Sequence, residues 1–221
     1  MQVSIIGLGN LGTAVGNLIA ANGHNVLGWE YNETVVAEIN ERHTNDRYLP
    51  EVVLHEQLRA TNNLQAAVDN GRVVFIALPS VFVQRTLAPL GGKINPHSLI
   101  VNMAKGIDGE TGLTSFQMLR GLFPDNRHVM LSGPSVANEF ARRMPTTVVI
   151  AGQDMSDLLL VSRLLDNDYF RTRFSEDTTG VELGGILKNI YAIGLGLFDG
   201  MDIDSVNFRA VYLTIALEEI A

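Results

Sequence analysis

Apolar residues are grouped in short runs between polar, turn-forming stretches for most of the chain. The runs Val3–Ile6, His24–Trp29, Leu58–Thr61, Val73–Leu78, Leu99–Asn102, Val129–Leu131, Thr146–Ala151 and Tyr169–Phe174 are brief, and the first is rich in β-branched residues. Such runs read as strands with little polar interruption, as expected of a buried sheet. Helical spacing fills the gaps over Thr13–Ala21, Asn32–Arg42, Leu64–Val68, Val81–Leu90, Thr114–Phe123, Val136–Arg142 and Ser156–Leu165. The stretch from Asn40 to Pro50 is polar and turn-rich. Strands that alternate with helices predict a parallel sheet covered on both faces.

The alternation stops at about Thr178, and only long helical patterns follow. Leu183 to Phe198 is sixteen residues with one charge, Lys188, and four glycines. An apolar, glycine-rich helix wants close neighbours, so this one is expected to be the buried spine of a second domain and to bury the stem of Lys188. The last run, Ala210 to Ala221, breaks off in mid-pattern. The expected organisation is a doubly wound sheet domain over 1–177 and the truncated beginning of an all-helical domain over 178–221.

The first strand runs into Gly7-Leu8-Gly9-Asn10-Leu11-Gly12, a helix follows, and the second strand ends at Glu30. Each piece has a job in holding a dinucleotide in a Rossmann-type fold. Gly7 permits the tight turn, Gly9 lets backbone approach a pyrophosphate, and Gly12 lets helix and strand pack closely. The unpaired N–H groups of the helix start attract phosphate. Glu30, eighteen residues beyond Gly12, can accept hydrogen bonds from a ribose diol. An acid here, with Arg42 as the nearest downstream cation and a helix between them, predicts NAD in preference to NADP.

Composition narrows the chemistry. With 46% apolar and 18% charged residues the 221-residue chain is a folded globular protein. A net charge of −8 argues against a nucleic-acid surface. Cysteine is absent, which removes disulfides and thiolate chemistry, and the histidines show no metal-ligand spacing. No signal peptide or membrane insertion is expected, and the lack of cysteine fits a reducing cytoplasm.

Only three lysines occur. Lys93 sits in a Gly-Gly-Lys turn and reads as solvated. Lys105 follows a strand, where parallel sheets bind ligands; the bland alternative is a loop lysine. Lys188 lies in the most apolar helix, where an ammonium is expensive unless it has partners or a lowered pKa. It is a candidate general acid–base, with a snorkelling surface lysine as the alternative. Asn189 beside it can hydrogen-bond a ligand. Gly133-Pro134-Ser135, with Ala137 and Glu139, forms a turn whose backbone N–H groups either face a ligand or simply cap a helix.

Taken together, these motifs resemble the soluble nicotinamide-dependent glycerol-3-phosphate dehydrogenase family. The resembling pieces are residues 7–14, Asn45 through Pro50, Leu78-Pro79-Ser80, Lys105-Gly106, Ser132–Ser135 with Ala137 and Glu139, Gly180 through Asn189, and Asp199-Gly200. The resemblance implies reversible hydride transfer between NAD(P) and C2 of glycerol 3-phosphate or dihydroxyacetone phosphate, supplying glycerolipid metabolism. It implies Lys188 as the catalytic lysine. Substrate contacts would come from Lys105, Asn189, Gly133 and Ser135. Cofactor contacts would come from Gly7, Gly9, Asn10, Leu11, Gly12, Glu30, Pro79, Lys105 and Ala137. Thr214-Ile215-Ala216 stands where the family usually shows Thr-Arg-Gly, and Ala104 replaces a usual threonine. Rival readings are another hydroxyacid or 6-phosphogluconate-type dehydrogenase, or a non-catalytic dinucleotide-binding module. The expected partner is a small phosphorylated triose, and association into a homodimer stays open.

Overall fold

A computed structural model of the chain describes residues 1–220. The elements run β1 (Gln2–Ile6), α1 (Asn10–Ala21), β2 (Asn25–Trp29), α2 (Glu33–Arg42), β3 (Leu58–Thr61), α3 (Leu64–Asn70) and β4 (Val73–Ile76). They continue α4 (Ser80–Leu87), β5 (Leu99–Asn102), α5 (Ser115–Leu122), β6 (Arg127–Ser132), α6 (Ala137–Ala141) and β7 (Thr146–Ala151). The last are α7 (Met155–Leu165), β8 (Phe170–Ser175), α8 (Thr178–Gly200) and α9 (Val206–Ile220). The final run is therefore α9, and Ala221 lies outside the described residues.

One sheet holds all eight strands in the order β3-β2-β1-β4-β5-β6-β7-β8. The strand order reverses between β1 and β4, and ligands of such sheets bind in the crevice outside the carboxyl ends of the strands at that point. Alternate strand residues feed opposite faces. Val3, Ile5, Phe75, Val101 and Leu131 join the cluster with α1 and α7, while Ile6, Val74, Ile76 and Ile100 join the cluster with α4 and α5. The uninterrupted apolar runs are thus two interleaved cores, and the fold is doubly wound as expected.

The sheet is parallel except at one pairing. β7 pairs with β6 antiparallel, Ser132 opposite Val149, and β8 runs parallel to β7. The link from β6 spends its length on a five-residue helix, α6, packed on α1. The chain therefore stays at the carboxyl edge and re-enters the sheet from that side. Because β8 then ends at the opposite edge, α8 starts low and climbs beside β6. Val181 packs against Phe116, Met130 and Ala151, and a side chain at Gly185 would touch Ser132 at the top of β6.

The expected burial of α8 is corrected. Only Glu182 and Gly185 are buried in it, and Ile190, Ile193 and Leu197 are 58%, 67% and 60% exposed. By length and composition alone α8 could cross a membrane. Among the described residues its upper half packs on α9, through Phe198 edge-on to Phe208 and Tyr212 at 4.8 and 5.0 Å between ring centres. An apolar pattern shows what a helix prefers to touch, and here the sheet covers its first two turns alone.

Candidate active site

A cleft of about 840 Å³ opens at the strand-order reversal. The glycine loop forms one wall, with Gly7, Gly9, Asn10 and Leu11 lining it. Gly7 has φ +102°, and a Cβ at Gly12 would overlap the Gly7 carbonyl. Two of the three glycines are thus required by the turn and the close helix–strand approach. Gly9 differs: a Cβ there would meet nothing within 4 Å. It is the N-cap of α1, without a side-chain cap, so bare N–H groups face an open space. That cradle suits a pyrophosphate, and the residues present fit a dinucleotide.

The loop is strapped from below. Asn45, fully buried, donates from Nδ2 to the Leu8 carbonyl at 2.9 Å and to Thr13 Oγ1 at 2.8 Å. Thr13 Oγ1 itself donates to Leu8 O at 2.8 Å. Asn10 Nδ2 donates to Tyr48 O at 2.6 Å and to Asn138 Oδ1 at 3.0 Å. The polar segment around Asn45 is therefore a buttress for the loop.

Glu30 lines the cleft at the end of β2 and is 4% exposed. One carboxylate oxygen accepts the Asn32 N–H at 3.1 Å. Burial pushes its pKa up, opposed by the Asn32 and Tyr31 amides and by the Arg47 guanidinium. The cation that acts on Glu30 is thus Arg47 and not Arg42, the nearest downstream in sequence. α2 ends in a left-handed residue, His43 with φ 54°. The chain turns back from there and sets Arg47 over the Tyr48 ring, 5.2 Å from its centre.

Lys105 lines the opposite end of the cleft, with Pro79 and Ser135. Its Nζ donates to the Gly133 carbonyl at 3.3 Å. Burial lowers its pKa, and the charge of Lys188 lowers it further. The two lysines converge: a Cβ at Gly185, one helical turn before Lys188, would lie 3.7 Å from Lys105 Cδ. Lys188 lines a smaller cleft of about 260 Å³ with Ser132, Gly133, Gly184 and Gly185. Its side chain is exposed, so the expectation of a buried stem fails because the far face of α8 is uncovered. Ser132 Oγ is buried between these groups and has no hydrogen-bond partner among the described residues.

Two expected residues stand apart. Asn189, beside Lys188, is exposed and lines neither cleft, and Ala137 packs into the core under α6 and lines neither cleft. Tyr31, Tyr48, Phe82 and Arg85 line the cleft without having been singled out. Phe82 and Arg85 lie one helical turn apart, the guanidinium 4.3 Å from the ring centre; that spacing on the helix after a carboxyl-edge Pro79 was the available signal. Among the described residues no group of three or more potential metal ligands occurs.

Comparison with known proteins gives the context of this geometry. Residues 2–158 match the model for the NAD-dependent glycerol-3-phosphate dehydrogenase N-terminus, and residues 177–221 match the model for its C-terminus. A glycerol-3-phosphate dehydrogenase of the NAD(P)+ type from Macrococcus caseolyticus is 36% identical over 100% of this chain and 67% of its own length. The Myxococcus xanthus enzyme of the same name is 39% identical over 100% of this chain and 66% of its own. The crystal structure of glycerol-3-phosphate dehydrogenase from Coxiella burnetii superposes with a TM-score of 0.92 at 30% identity, covering 99% of this chain and 67% of that one. The chain spans about two thirds of the length of these relatives. With the glycine loop, the paired lysines and both family models in register, the chain belongs to the NAD-dependent glycerol-3-phosphate dehydrogenase family.

Proposed function

We propose that the protein interconverts dihydroxyacetone phosphate and glycerol 3-phosphate, with Lys188 as proton donor and NAD as the preferred cofactor. The observation that carries this reading is the meeting of Lys105 and Lys188 beside the glycine-loop cleft. Nicotinamide supplies the hydride when bound. The residues of this chain supply orientation, charge and a proton. The N-terminal groups of α1 at Gly9 hold the pyrophosphate, and Glu30 takes the ribose diol. Lys105 contacts substrate and cofactor at the nicotinamide end, with Gly133, Ser135 and Asn189 as further substrate contacts. Lys188, as an ammonium, donates a proton to the C2 oxygen as it becomes an alkoxide, and accepts it back in the reverse direction.

The preference for NAD is narrower than Glu30 alone would give. A carboxylate repels a 2′-phosphate, but Arg47 beside it attracts one. Glu30 is the closer to the cleft, so NAD is favoured. We also assign residues 1–177 to cofactor binding and 178–221 to the start of the substrate domain. We also propose a cytoplasmic location without membrane insertion, supported by the docking of α8 on the sheet through a hydrogen-bonded glutamate, which a bilayer would penalise.

The test is oxidation of reduced nicotinamide with dihydroxyacetone phosphate as substrate, in the natural full-length protein. Lys188→Ala is expected to lower turnover by about 10²-fold or more, with cofactor affinity little changed. Near-normal turnover in that variant would overturn the assignment.

A further inference from the structure

We propose that Glu182 is a positioning residue: it holds the lower end of α8 on the first turn of α5 and so fixes Lys188 opposite Lys105. The inference rests on the roles given above to the two lysines. Glu182 is the fifth residue of α8 and 3% exposed. One carboxylate oxygen accepts the Phe116 N–H at 2.8 Å, and the other accepts the Thr114 hydroxyl at 2.6 Å.

Those partners belong to the start of α5. Thr114 is its N-cap, with Thr114 Oγ1 accepting the Gln117 N–H at 3.2 Å and Gln117 Oε1 accepting the Thr114 N–H at 2.9 Å. The first N–H groups of a helix have no partner within it, and Glu182 satisfies one of them from another element. A carboxylate is also the charge that a helix start favours.

The start of α5 is in turn tied to Lys105. The Ser115 N–H donates to the Gly106 carbonyl at 3.2 Å. Gly106 has φ +152°, and a Cβ there would overlap Ser80, so the residue after Lys105 is held on two sides. A short continuous path therefore links the lysines: Lys105, Gly106, Ser115 and Thr114, Glu182, then less than two turns of α8 to Lys188.

Among the described residues, no other side-chain hydrogen bond ties this helix to the sheet domain; its remaining polar ties, from Tyr191 and Asp199, go to α9. Its contacts at Gly184 and Gly185 offer smooth backbone surface, and Val181 packs without directional demands. Among the described residues, the polar side-chain ties of α8 to the sheet domain run through Glu182. Burial raises its pKa, and the bonds from Thr114 and Phe116 oppose that rise by favouring the carboxylate. An apolar residue would leave the Phe116 N–H and Thr114 hydroxyl unpaired.

The test compares Glu182→Ala, Glu182→Asp and Glu182→Gln in the full-length protein, with two readouts. The first is the split of kcat against the dissociation constant for NAD. The second is the titration of Lys105, followed by NMR of ¹³C-methylated lysines, which is tractable with only Lys93, Lys105 and Lys188 in these 221 residues. Glu182→Ala should lower kcat about 10- to 100-fold through misplacement, leave NAD binding within about twofold, and move the Lys105 titration to higher pH as Lys188 drifts away. Lower folded fraction alone would shrink the signal without moving a titration midpoint. Glu182→Gln keeps an acceptor for Phe116 and reverses the second bond, its amide N–H donating to the Thr114 hydroxyl oxygen, and should recover most of the loss. Should the alanine variant fail to fold, Glu182→Asp, too short to reach both partners, carries the same expectations. Wild-type kcat and an unmoved Lys105 titration in the short-chain variants would overturn the proposal, as would a glutamine variant no better than alanine. If the wild type turns over no triose phosphate yet Lys105 still shifts, the positioning stands and the proposed function fails.

Discussion

Gly185 of α8 lies directly over Ser132 at the end of β6, close enough that a Cβ on the glycine would overlap the serine hydroxyl. That hydroxyl is buried and, among the described residues, unpaired. Gly185→Ala should destabilise the fold by about 1–3 kcal/mol through overpacking, a fall in Tm of roughly 2–4 °C per kcal/mol. Ser132→Ala removes an unsatisfied polar group and should be neutral or stabilising. In the double variant the added methyl faces another methyl, so most of the loss should return. Simple additivity of the two Tm shifts would show that the overlap is not the cause.

Glu30 and Arg47 should move cofactor preference in opposite directions. Removing the carboxylate with Glu30→Gln lowers the NAD:NADP affinity ratio, and removing the cation with Arg47→Ala raises it. Each change exchanges a charge-assisted contact, about 1.5–3 kcal/mol, or on the order of tenfold or more. Calorimetric titration of both oxidised cofactors against the three proteins checks this. One ratio common to all three would remove both residues from the account.

Lys105 is predicted to trade stability for reactivity. Its pKa is lowered from 10.5 in the folded chain, first by burial and then by Lys188. Below that lowered value the lysine is charged in both states and the burial penalty is full. As pH rises through the folded value toward 10.5 the penalty disappears, so Lys105 contributes a stability that increases with pH over that window. Lys105→Met should therefore raise Tm at neutral pH, flatten the alkaline rise and abolish turnover. Thermal melts of both proteins from neutral to alkaline pH measure it; a lower Tm for the variant at neutral pH would contradict it.

Asn45 braces the glycine loop without touching the cleft. Asn45→Ala deletes its bonds to Leu8 and Thr13, while Thr13 continues to satisfy Leu8 O. The expected loss is about 1–3 kcal/mol of stability, together with weaker NAD binding because Gly7 and Gly9 are no longer held. Unaltered affinity in a destabilised variant would confine Asn45 to folding.

The sheet was legible because strands and helices announce themselves by period, and the central strands β4 and β5 needed apolar residues on both faces. Direction was not. Thr146–Ala151 has the same buried pattern whichever way it runs, and only the short α6 link decides that β7 is reversed. The glycine loop, Glu30 and the lysines were legible from residue chemistry and motif order. Arg47 was not, since a single left-handed residue, His43, folds it back beside Glu30 from seventeen positions away. The apolar run of α8 likewise named a preference for neighbours, not which neighbours the chain provides.

The reversal of β7 and β8 makes α8 and β6 a matched pair of rulers. From Val181, level with Met130, α8 rises seven residues to Lys188, about 10 Å at 1.5 Å each. From Met130, β6 rises three residues to Gly133, also about 10 Å at 3.3 Å each. The carbonyl that holds Lys105 and the residue that carries Lys188 are therefore delivered to one height by elements of different pitch. One residue inserted in α8 between Glu182 and Lys188 would turn the lysine by about 100° and lift it by about 1.5 Å. This interval should tolerate substitutions far better than it tolerates any change of length.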